Sequence, residues 1–305
     1  MSNKEKTTPN IWDHKDASCV IGDISIDRVV DLERQTYPHA KLLPTADEDE
    51  LRRLSLEMGP RIIEPETLTV SLSFHSYLIR TESHTILVDT CCGNDKERPH
   101  RADWHRRDGP FINNLKARNV NPEDVDFVMC THLHADHVGW NTKLVDGEWV
   151  PTFPNAQYLF AEKEYNYWVR EQTTSDEPIL HGSHADSVLP IIKSGQAKLV
   201  SEDHEIETGV YFQPAFGHTP GTIVLYVDSD TSQAVMCGDV MHHPAQVAHP
   251  EWSSGFCADP IQSAKSRLQL LERLAGTGAL LLPAHFIAPY YGPVERDGKG
   301  FKTII

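Results

Sequence analysis

Three histidines and one aspartate lie within six consecutive positions, at His132, His134, Asp136 and His137. They follow an apolar run, residues 126–130, that is typical of a buried strand. Alternate side chains of an extended segment share a face, so His132 and His134 can bind one ion while the two later residues point toward a second. Imidazole and carboxylate ligands suit zinc, manganese, iron or cobalt, and a set without cysteine argues against a structural zinc site. The alternative is a polar surface loop.

Three further candidate ligands follow apolar runs later in the chain. His218 lies in a turn marked by glycine and proline, Asp239 follows residues 233–238, and His285 follows residues 279–284. Any one of them could be an ordinary polar residue. Their shared position after a predicted strand indicates that they complete the same metal site.

The elements that must position these residues alternate along the chain. Apolar and β-branched runs predict strands at 67–81, 84–90, 126–132, 156–161, 209–215, 222–228 and 233–239. Helical spacing predicts helices at 47–58, 109–119, 162–172 and 260–275, the last one beginning at Asp259-Pro260. Strands with helices interspersed predict a layered α/β protein with sheets inside and helices outside.

The domain organisation predicted from the sequence is simple. Residues 1–20 are expected to be a flexible N-terminal tail, and 21–305 to be a single domain. Within it, the polar, proline-punctuated residues 31–66 suggest an N-terminal extension or lid, and residues 141–190 suggest an insertion that carries several aromatic side chains.

Composition narrows the classes of partner. Lys and Arg number 28 and Asp and Glu number 44, which gives a formal charge of −16. Such a surface repels nucleic acid and anionic membranes, so neither is expected as a partner. The polar N-terminus has no signal-peptide pattern and no apolar run is long enough to span a bilayer, so a cytoplasmic protein is expected. The six cysteines are expected to be free thiols.

The ordered motif His-x-His-x-Asp-His, then His, Asp and His, resembles that of the metallo-β-lactamase fold hydrolases. The resemblance covers about residues 68–287 and implies an αβ/βα four-layer sandwich, with two central mixed sheets flanked by helices. It implies two divalent metal ions, with zinc expected first and manganese, iron or cobalt as alternatives. One ion would be held by His132, His134 and His218, the other by Asp136, His137 and His285, with Asp239 bridging them.

The resemblance also assigns roles near the metals. Asp89, in the segment Leu-Val-Asp-Thr-Cys-Cys-Gly-Asn, would orient metal ligands, although a turn-capping aspartate is the alternative. Asp136, Asp239 and His242 are the predicted catalytic residues. His242 stands three residues after the bridging aspartate, where many quorum-quenching lactonases have a tyrosine and where methyl parathion hydrolase has a histidine. It could contact substrate or relay a proton, or be only a supporting histidine.

Three functions remain open. The first is a hydrolase that uses a metal-bridging hydroxide to open a lactone or cleave a related carboxylic ester. The second is an aryl-ester or organophosphate triesterase of the methyl parathion hydrolase type, and the third is a metal-binding protein without catalysis. A small-molecule ester or lactone is the expected ligand, and related hydrolases suggest a possible homodimer.

Aromatic residues near the motifs could form the substrate pocket. The predicted wall consists of Trp140, Trp168, Phe286 and Tyr290, although aromatic residues at such positions are core residues at least as often. His243 is expected to be exposed. His75, within a predicted strand, is expected to bond to a backbone carbonyl of the sheet rather than to line the pocket.

Overall fold

A computed structural model of the protein describes residues 18–288 and 290–303. The predicted flexible tail therefore falls mostly outside the described residues, but its last residues, 18–20, lie in a strand. Sixteen strands are present in the described part of the chain, and in chain order they are β1 (Ser18–Ile21), β2 (Ile24–Pro38), β3 (Thr69–Arg80), β4 (Thr85–Val88), β5 (Phe127–Met129), β6 (Thr142–Val145), β7 (Glu148–Pro151), β8 (Gln157–Ala161), β9 (Ala197–Val200), β10 (Glu205–Glu207), β11 (Val210–Pro214), β12 (Ile223–Asp228), β13 (Gln233–Gly238), β14 (Leu280–Pro283), β15 (Gly292–Asp297) and β16 (Gly300–Thr303).

Fourteen of these strands form two mixed sheets of seven. The first has the order β1-β2-β3-β4-β5-β8-β9, antiparallel from β1 to β4 and parallel from β4 to β9. The second has the order β10-β11-β12-β13-β14-β15-β16, in which only β13 and β14 are parallel neighbours. Strands β6 and β7 form a separate hairpin. All seven strands predicted from the apolar runs are present, each one to three residues shorter than predicted except β5, which has three residues against seven.

Eight α-helices accompany the sheets in the described residues, namely α1 (His39–Leu42), α2 (Glu48–Met58), α3 (Phe111–Lys116), α4 (Ala135–Val138), α5 (Glu162–Thr174), α6 (Leu189–Ser194), α7 (Ala245–Ala248) and α8 (Pro260–Leu274). The predicted start of α8 is confirmed, because Asp259 caps it by accepting the backbone N–H of Gln262, and Pro260 occupies the first turn. Short 3₁₀ turns lie at Pro122–Asp124, Gly139–Asn141 and Leu180–Gly182, and a π-helical turn at His184–Val188.

The core is layered as predicted. One buried cluster joins the two sheets face to face, for example Ile79 and Met129 of the first sheet with Phe212 and Leu225 of the second. A second cluster packs α3 and α6 on the outer face of the first sheet, and another packs α8 on the outer face of the second. The molecule is thus an αβ/βα sandwich, which confirms the fold class.

The charged strand β2 was not predicted from the sequence. Its fifteen residues include Asp27, Arg28 and Asp31, which obscure the alternation that marks a strand, yet all three are buried. Asp27 pairs with Arg80, and Asp31 accepts from Arg107 at 2.6 Å, so the buried charges are compensated. The first part of the predicted extension, 31–38, is therefore part of the first sheet rather than a separate segment.

The predicted insertion also contributes to the sheet. Strand β8 lies inside residues 141–190 and pairs in parallel with both β5 and β9. The hairpin β6–β7, helix α5 and the helical turns at Leu180–Gly182 and His184–Val188 lie outside the two large sheets. No helix in residues 18–288 and 290–303 is both long and apolar enough to cross a bilayer.

Parallel pairing determines where the candidate ligands meet. Strands β4, β5 and β8 run in one direction, so the residues that follow them, including Asp89, the 132–137 motif and Glu164, emerge at one edge of the first sheet. Strands β13 and β14 are also parallel, so Asp239 and His285 emerge together from the second sheet. Side chains that follow parallel strands can converge in this way because carboxyl ends share an edge.

Candidate metal centre

Asp239 occupies the middle of the candidate site. Its Oδ2 lies 3.1 Å from His218 Nε2 and 3.6 Å from His132 Nε2. Its Oδ1 lies 2.9 Å from His285 Nε2 and 3.1 Å from His137 Nε2. The two oxygens of one carboxylate therefore face two different sets of histidines, which is the arrangement that a bridging ligand requires.

The seven predicted ligands form two groups whose donor atoms lie within 4.8 Å of one another. His132, His134, His218 and Asp239 make the first group, and Asp136, His137 and His285 make the second. In the first group, His134 presents Nδ1, which lies 2.9 Å from His218 Nε2. The other six residues are divided as predicted, whereas Asp239 falls in the first group, so its bridging role stays a prediction.

The donor chemistry fits divalent cations. His132 Nε2, His137 Nε2 and Asp239 Oδ1 are buried, and although other polar atoms lie close to them, none has a partner in hydrogen-bond geometry among the described residues. Buried polar atoms without a partner are costly, whereas a bound cation would satisfy all three at once. A set of imidazoles and carboxylates of this kind suits zinc and the other first-row divalent ions.

The pKa values of the clustered residues indicate that the site favours a bound positive charge, either protons or metal ions. Burial lowers the pKa of His134 to about 3, so this ring is neutral and has a lone pair to offer. Burial lowers the pKa of His218 as well, but the carboxylate of Asp239 outweighs this effect and the pKa is raised to about 9. Burial raises the pKa of Asp239, yet the surrounding histidines hold it well below its usual range. Protons and metal ions therefore compete for the same positions.

Asp89 forms hydrogen bonds that hold the loop and helix turn of residues 131–137 in place. Its Oδ2 accepts from His137 Nδ1 at 2.8 Å, and its Oδ1 accepts the backbone N–H of Thr131 at 2.7 Å. Such a contact fixes the ring tautomer so that His137 Nε2 faces the cluster. Asp89 adopts a left-handed backbone with φ 59°, a conformation that costs energy for a residue with a side chain. The position is consistent with the orienting role predicted for Asp89.

Backbone contacts hold the loop after β4 against helix α4. Thr90 N donates to His137 O at 2.7 Å, and Gly139 N donates to Cys91 O at 2.7 Å. A Cβ atom on Gly139 would lie 2.0 Å from the backbone carbonyl of Cys92, so only glycine permits this approach. The close contact fixes the helix that carries Asp136 and His137.

The remaining histidine ligands have their own partners. His285 Nδ1 donates to the carbonyl of Ser73 on β3 at 2.8 Å, which ties the second sheet to the first. His218 Nδ1 lies 3.6 Å from the thiol of Cys257. All six cysteines are free, as predicted, and Cys257 alone among them is not fully buried.

Two supporting residues were missed from the sequence. Glu164, at the start of α5, is buried and accepts hydrogen bonds from Leu133 N, Thr219 Oγ1 and Gly221 N, so it joins the loops that carry His134 and His218. Gln246 accepts the backbone N–H groups of His242 and His243. A buried carboxyl three residues into a helix gives no sequence signal, because its partners lie far away along the chain.

His242 lies against the bridging carboxylate. Its Nε2 is 3.1 Å from Asp239 Oδ2, and its ring stacks on that of His285 with centroids 5.7 Å apart. Burial lowers the pKa of His242 to about 4, so the ring is neutral near pH 7. The expectation that His243 is exposed is wrong, because it is fully buried and its Nε2 lies 3.3 Å from Ile62 O.

His75 is a buried residue of the sheet. Its two ring nitrogens face the hydroxyls of Ser73 and Tyr77, at 3.0 and 3.1 Å, and it also interacts with the backbone carbonyl of Pro283, as expected. Tyr77 in turn donates to Pro283 O. His75 therefore belongs to a hydrogen-bonded chain across the sheets.

A cavity of about 310 Å³ opens directly onto the cluster. His134, Asp136, Asp239, His242 and His285 form its floor. The remaining lining is mainly apolar with two basic side chains, and consists of Tyr37, Leu72, Phe74, Arg101, Trp104, Ala135, Leu180, His181 and Phe256. Its size and character suit a small organic substrate.

The four aromatic residues predicted to form the pocket wall do not line this cavity. Trp140 is buried against Phe111 and donates to Asp31, and Phe286 is buried in the core beside α8. Trp168 donates to Glu164 and lies 5.6 Å from the His134 ring, on the side of α5. Tyr290 lies under Arg28. Proximity in sequence to a ligand was the wrong guide, because the walls come from β2, β3, the loop before α3, the turn at Leu180–Gly182 and the loop before α8.

Comparisons with known proteins agree with this architecture. A model of the metallo-beta-lactamase superfamily matches residues 74–285. An N-acyl homoserine lactonase of Bacillus thuringiensis is 25% identical over 184 residues, which are 55% of this chain and 63% of that protein. The chain therefore spans a little under two thirds of the length of this relative. The N-acyl homoserine lactonase AttM of Azorhizobium caulinodans is 34% identical over 62 residues, which are 20% of each chain.

Solved structures show the same fold. The hydrolase AbOPH of the beta lactamase superfamily gives a TM-score of 0.79 at 23% identity, over 95% of this chain and 96% of that one. AidC, a dizinc quorum-quenching lactonase in complex with a product, gives 0.73 at 20% identity over the same shares. Since the superfamily model covers well over half of the sequence and includes all seven candidate ligands, the chain belongs to the metallo-β-lactamase superfamily.

Proposed function

We propose that the protein is a dinuclear-metal-dependent hydrolase that opens lactones or cleaves related carboxylic esters. One observation carries the proposal: the carboxylate of Asp239 presents one oxygen to each of two groups of buried ligands. A single structural ion would not need a second group, and a non-catalytic protein would not need a cavity that opens onto both.

The two groups would each hold one ion. His132, His134 and His218 would bind the first, Asp136, His137 and His285 the second, with Asp239 shared between them. Two bound divalent ions supply Lewis acidity, which polarises a carbonyl oxygen and brings the pKa of water toward ~7. Zinc is our first expectation, since imidazole with carboxylate is its usual ligand set.

Asp239 and His242 would transfer a proton to the leaving alcohol. Asp239 Oδ2 and His242 Nε2 lie 3.1 Å apart at the cavity floor. A neutral imidazole carries one N–H and one acceptor nitrogen, so His242 can pass a proton between Asp239 and the departing alcohol.

The names of the relatives support the choice of a lactone or carboxylic ester. The curated relatives reported above are N-acyl homoserine lactonases, and one structural neighbour is a lactonase with its product bound. The cavity walls of Leu72, Phe74 and Phe256 offer an apolar surface for an acyl group. Acyl lactones are therefore the first substrates to test.

A second candidate function rests on His242. Because this histidine takes the place of the tyrosine common in quorum-quenching lactonases and lies on the cavity floor, an aryl-ester or organophosphate triester is the alternative substrate. An organophosphate differs from a lactone because the group under attack is tetrahedral, whereas an aryl ester differs from a lactone in its leaving group.

The test combines metal analysis with a substrate panel. Purified protein should contain close to two divalent ions per chain, and should turn over an acyl lactone well above the buffer rate in assays run in parallel with a p-nitrophenyl ester and with paraoxon. Asp239→Ala should lose activity on every substrate and lower the metal content. One ion or fewer in a fully loaded preparation would refute the dinuclear site, and faster turnover of paraoxon would favour the triesterase.

A further inference from the structure

Arg101 is a guanidinium group in the cavity wall without a carboxylate partner among the described residues. Its Nη2 donates to Tyr37 Oη at 2.8 Å, and its Cζ lies 3.8 Å from the centre of the Trp104 ring. Phe256 adds a third aromatic ring, with its centre 6.0 Å away. The cation is therefore held by aromatic faces and one phenol rather than by an acid.

The neighbouring arginines of the same loop behave differently. Arg98 forms a two-pronged ion pair with Asp186, at 2.6 and 2.9 Å, Arg106 pairs with Glu97, and Arg107 pairs with Asp31 at 2.6 Å. Among the four arginines between 94 and 109, Arg101 is the one left without an acid in the described part of the chain, and it is the one that lines the cavity. Arg101, which has no acidic partner among these residues, therefore lies at the cavity that could hold a substrate.

The positions of Arg101 and Tyr37 are fixed in advance. The Trp104 ring beneath the guanidinium packs edge-on against Phe74, with centroids 5.6 Å apart, and its Nε1 donates to Gln35 at 2.9 Å. The hydroxyl hydrogen of Tyr37 has no acceptor among the described residues, so it is free to donate to a ligand. Two donors thus converge on one part of the wall, and little side-chain entropy remains to be lost on binding.

The charge of Arg101 acts on its neighbours in the cavity wall. His181 lies beside Trp104, with ring centroids 6.3 Å apart, and burial, and then the positive charge of Arg101, lowers the pKa of His181. Burial raises the pKa of Tyr37, which Arg101 opposes and Asp136 on the floor reinforces. Tyr37, Arg101 and Asp136 all line the same cavity, so one small molecule can touch both the basic wall and the metal cluster.

We propose that the cavity binds an ester or lactone that carries a carboxylate remote from the bond to be cleaved, and that Arg101 and Tyr37 bind this carboxylate. The inference rests on the proposed hydrolase function and narrows its substrate class. A planar guanidinium suits a carboxylate, and its charge-assisted hydrogen bonds are strong in a partly buried site. One cation and one hydroxyl match a monoanion, whereas a phosphate dianion would require more donors.

The test compares two esters that differ by one charge. Mono-p-nitrophenyl adipate carries a free carboxylate, and methyl p-nitrophenyl adipate is its neutral analogue. In Arg101→Gln, kcat/KM for the acid should fall about 10–100-fold, which corresponds to a charged hydrogen bond, and that for the methyl ester by less than about 3-fold. Arg106→Gln, in the same loop but exposed, is the control, and Arg101→Lys should retain part of the preference.

A binding measurement separates this inference from the proposed function. Isothermal titration of the zinc-supplemented protein with monomethyl adipate and with dimethyl adipate should give tighter binding of monomethyl adipate, and Arg101→Gln should abolish the difference. If neither p-nitrophenyl ester is hydrolysed but the wild type shows this difference and Arg101→Gln does not, the hydrolase function fails and the carboxylate site stands. If esters are hydrolysed in a metal-dependent way and Arg101→Gln keeps the preference for the acid, the carboxylate site is refuted.

Discussion

Lys96 is a fully buried cation within a small polar cluster. Its Nζ donates to Thr142 Oγ1 at 2.6 Å, lies 3.6 Å from Asp186 Oδ1 and sits 3.5 Å from the centre of the Trp149 ring. Burial lowers the pKa of Lys96, Asp186 opposes this effect, and the net pKa is about 7. Asp186 also pairs with Arg98, so the single carboxylate is shared by two cations.

This arrangement predicts a specific dependence of stability on pH. In the unfolded chain a lysine has a pKa of about 10.4, so between about pH 7 and pH 10 the unfolded state binds a proton that the folded state has released. The free energy of unfolding of the wild type should therefore rise relative to that of Lys96→Met, by roughly 2–4 kcal/mol over this range. Urea titrations at several pH values measure the difference. A difference that does not change with pH would mean that Lys96 keeps its charge when folded.

Residue type and spacing allowed the ligands to be predicted, but not the groups around them. His132, His218 and Asp239 each follow an apolar strand. Because strands of a sheet that run in the same direction end at the same edge, the role of these residues as metal ligands could be predicted from the sequence. Arg101 and Tyr37 are 64 positions apart and Glu164 and Thr219 are 55 apart. Contacts of this kind depend on three-dimensional packing and leave no local pattern.

At the scale of elements, α5 connects the two ligand loops through one side chain. Glu164 Oε1 accepts from Leu133 N at 3.0 Å and from Trp168 Nε1 at 2.6 Å. Its Oε2 accepts from Thr219 Oγ1 at 2.6 Å and from Gly221 N at 3.0 Å. Two of these donors are backbone N–H groups, which have no way to become acceptors. Burial raises the pKa of Glu164, and these four donors counteract that rise.

Glu164→Gln should therefore loosen both loops at once. One oxygen becomes an NH₂ group that faces existing donors, so hydrogen bonds to a charged group are lost in a buried site, at a cost of about 1.5–3 kcal/mol each. We expect a lower melting temperature and weaker zinc binding in competition with a chromophoric chelator. Glu162→Gln, on an exposed position of the same helix, is the matched control. Unchanged zinc affinity in Glu164→Gln would show that α5 does not position the ligands.

The strands differ in how well their sequences reveal them. Apolar runs such as β12 and β13 are buried on both faces, and this is the signal from which they were predicted. Strand β2 is an equal part of the first sheet, but its charges are neutralised by partners such as Arg80 and Arg107. A strand of that kind looks like a polar segment until its partners are known.

At the scale of the whole molecule, each ligand group draws on both sheets. His132 and His134 follow β5 of the first sheet, whereas His218 and Asp239 belong to the second. The other group joins Asp136 and His137 to His285 in the same way. Bound cations would consequently link the two halves of the sandwich, and metal removal should act on the stability of the entire fold rather than on one loop.

Chelation should lower the melting temperature of the protein substantially. Free metal at about 1,000 times its Kd stabilises a fold by about 4 kcal/mol, which corresponds to a shift of roughly 5–15 °C for a domain of this size. Differential scanning fluorimetry with and without EDTA measures the shift, and elemental analysis verifies that the metal has left. His218→Ala removes a ligand of the first group and His285→Ala one of the second, so each variant should show a smaller response to EDTA than the wild type. Complete loss of metal without a change in melting temperature would contradict the idea that the ions join the two sheets.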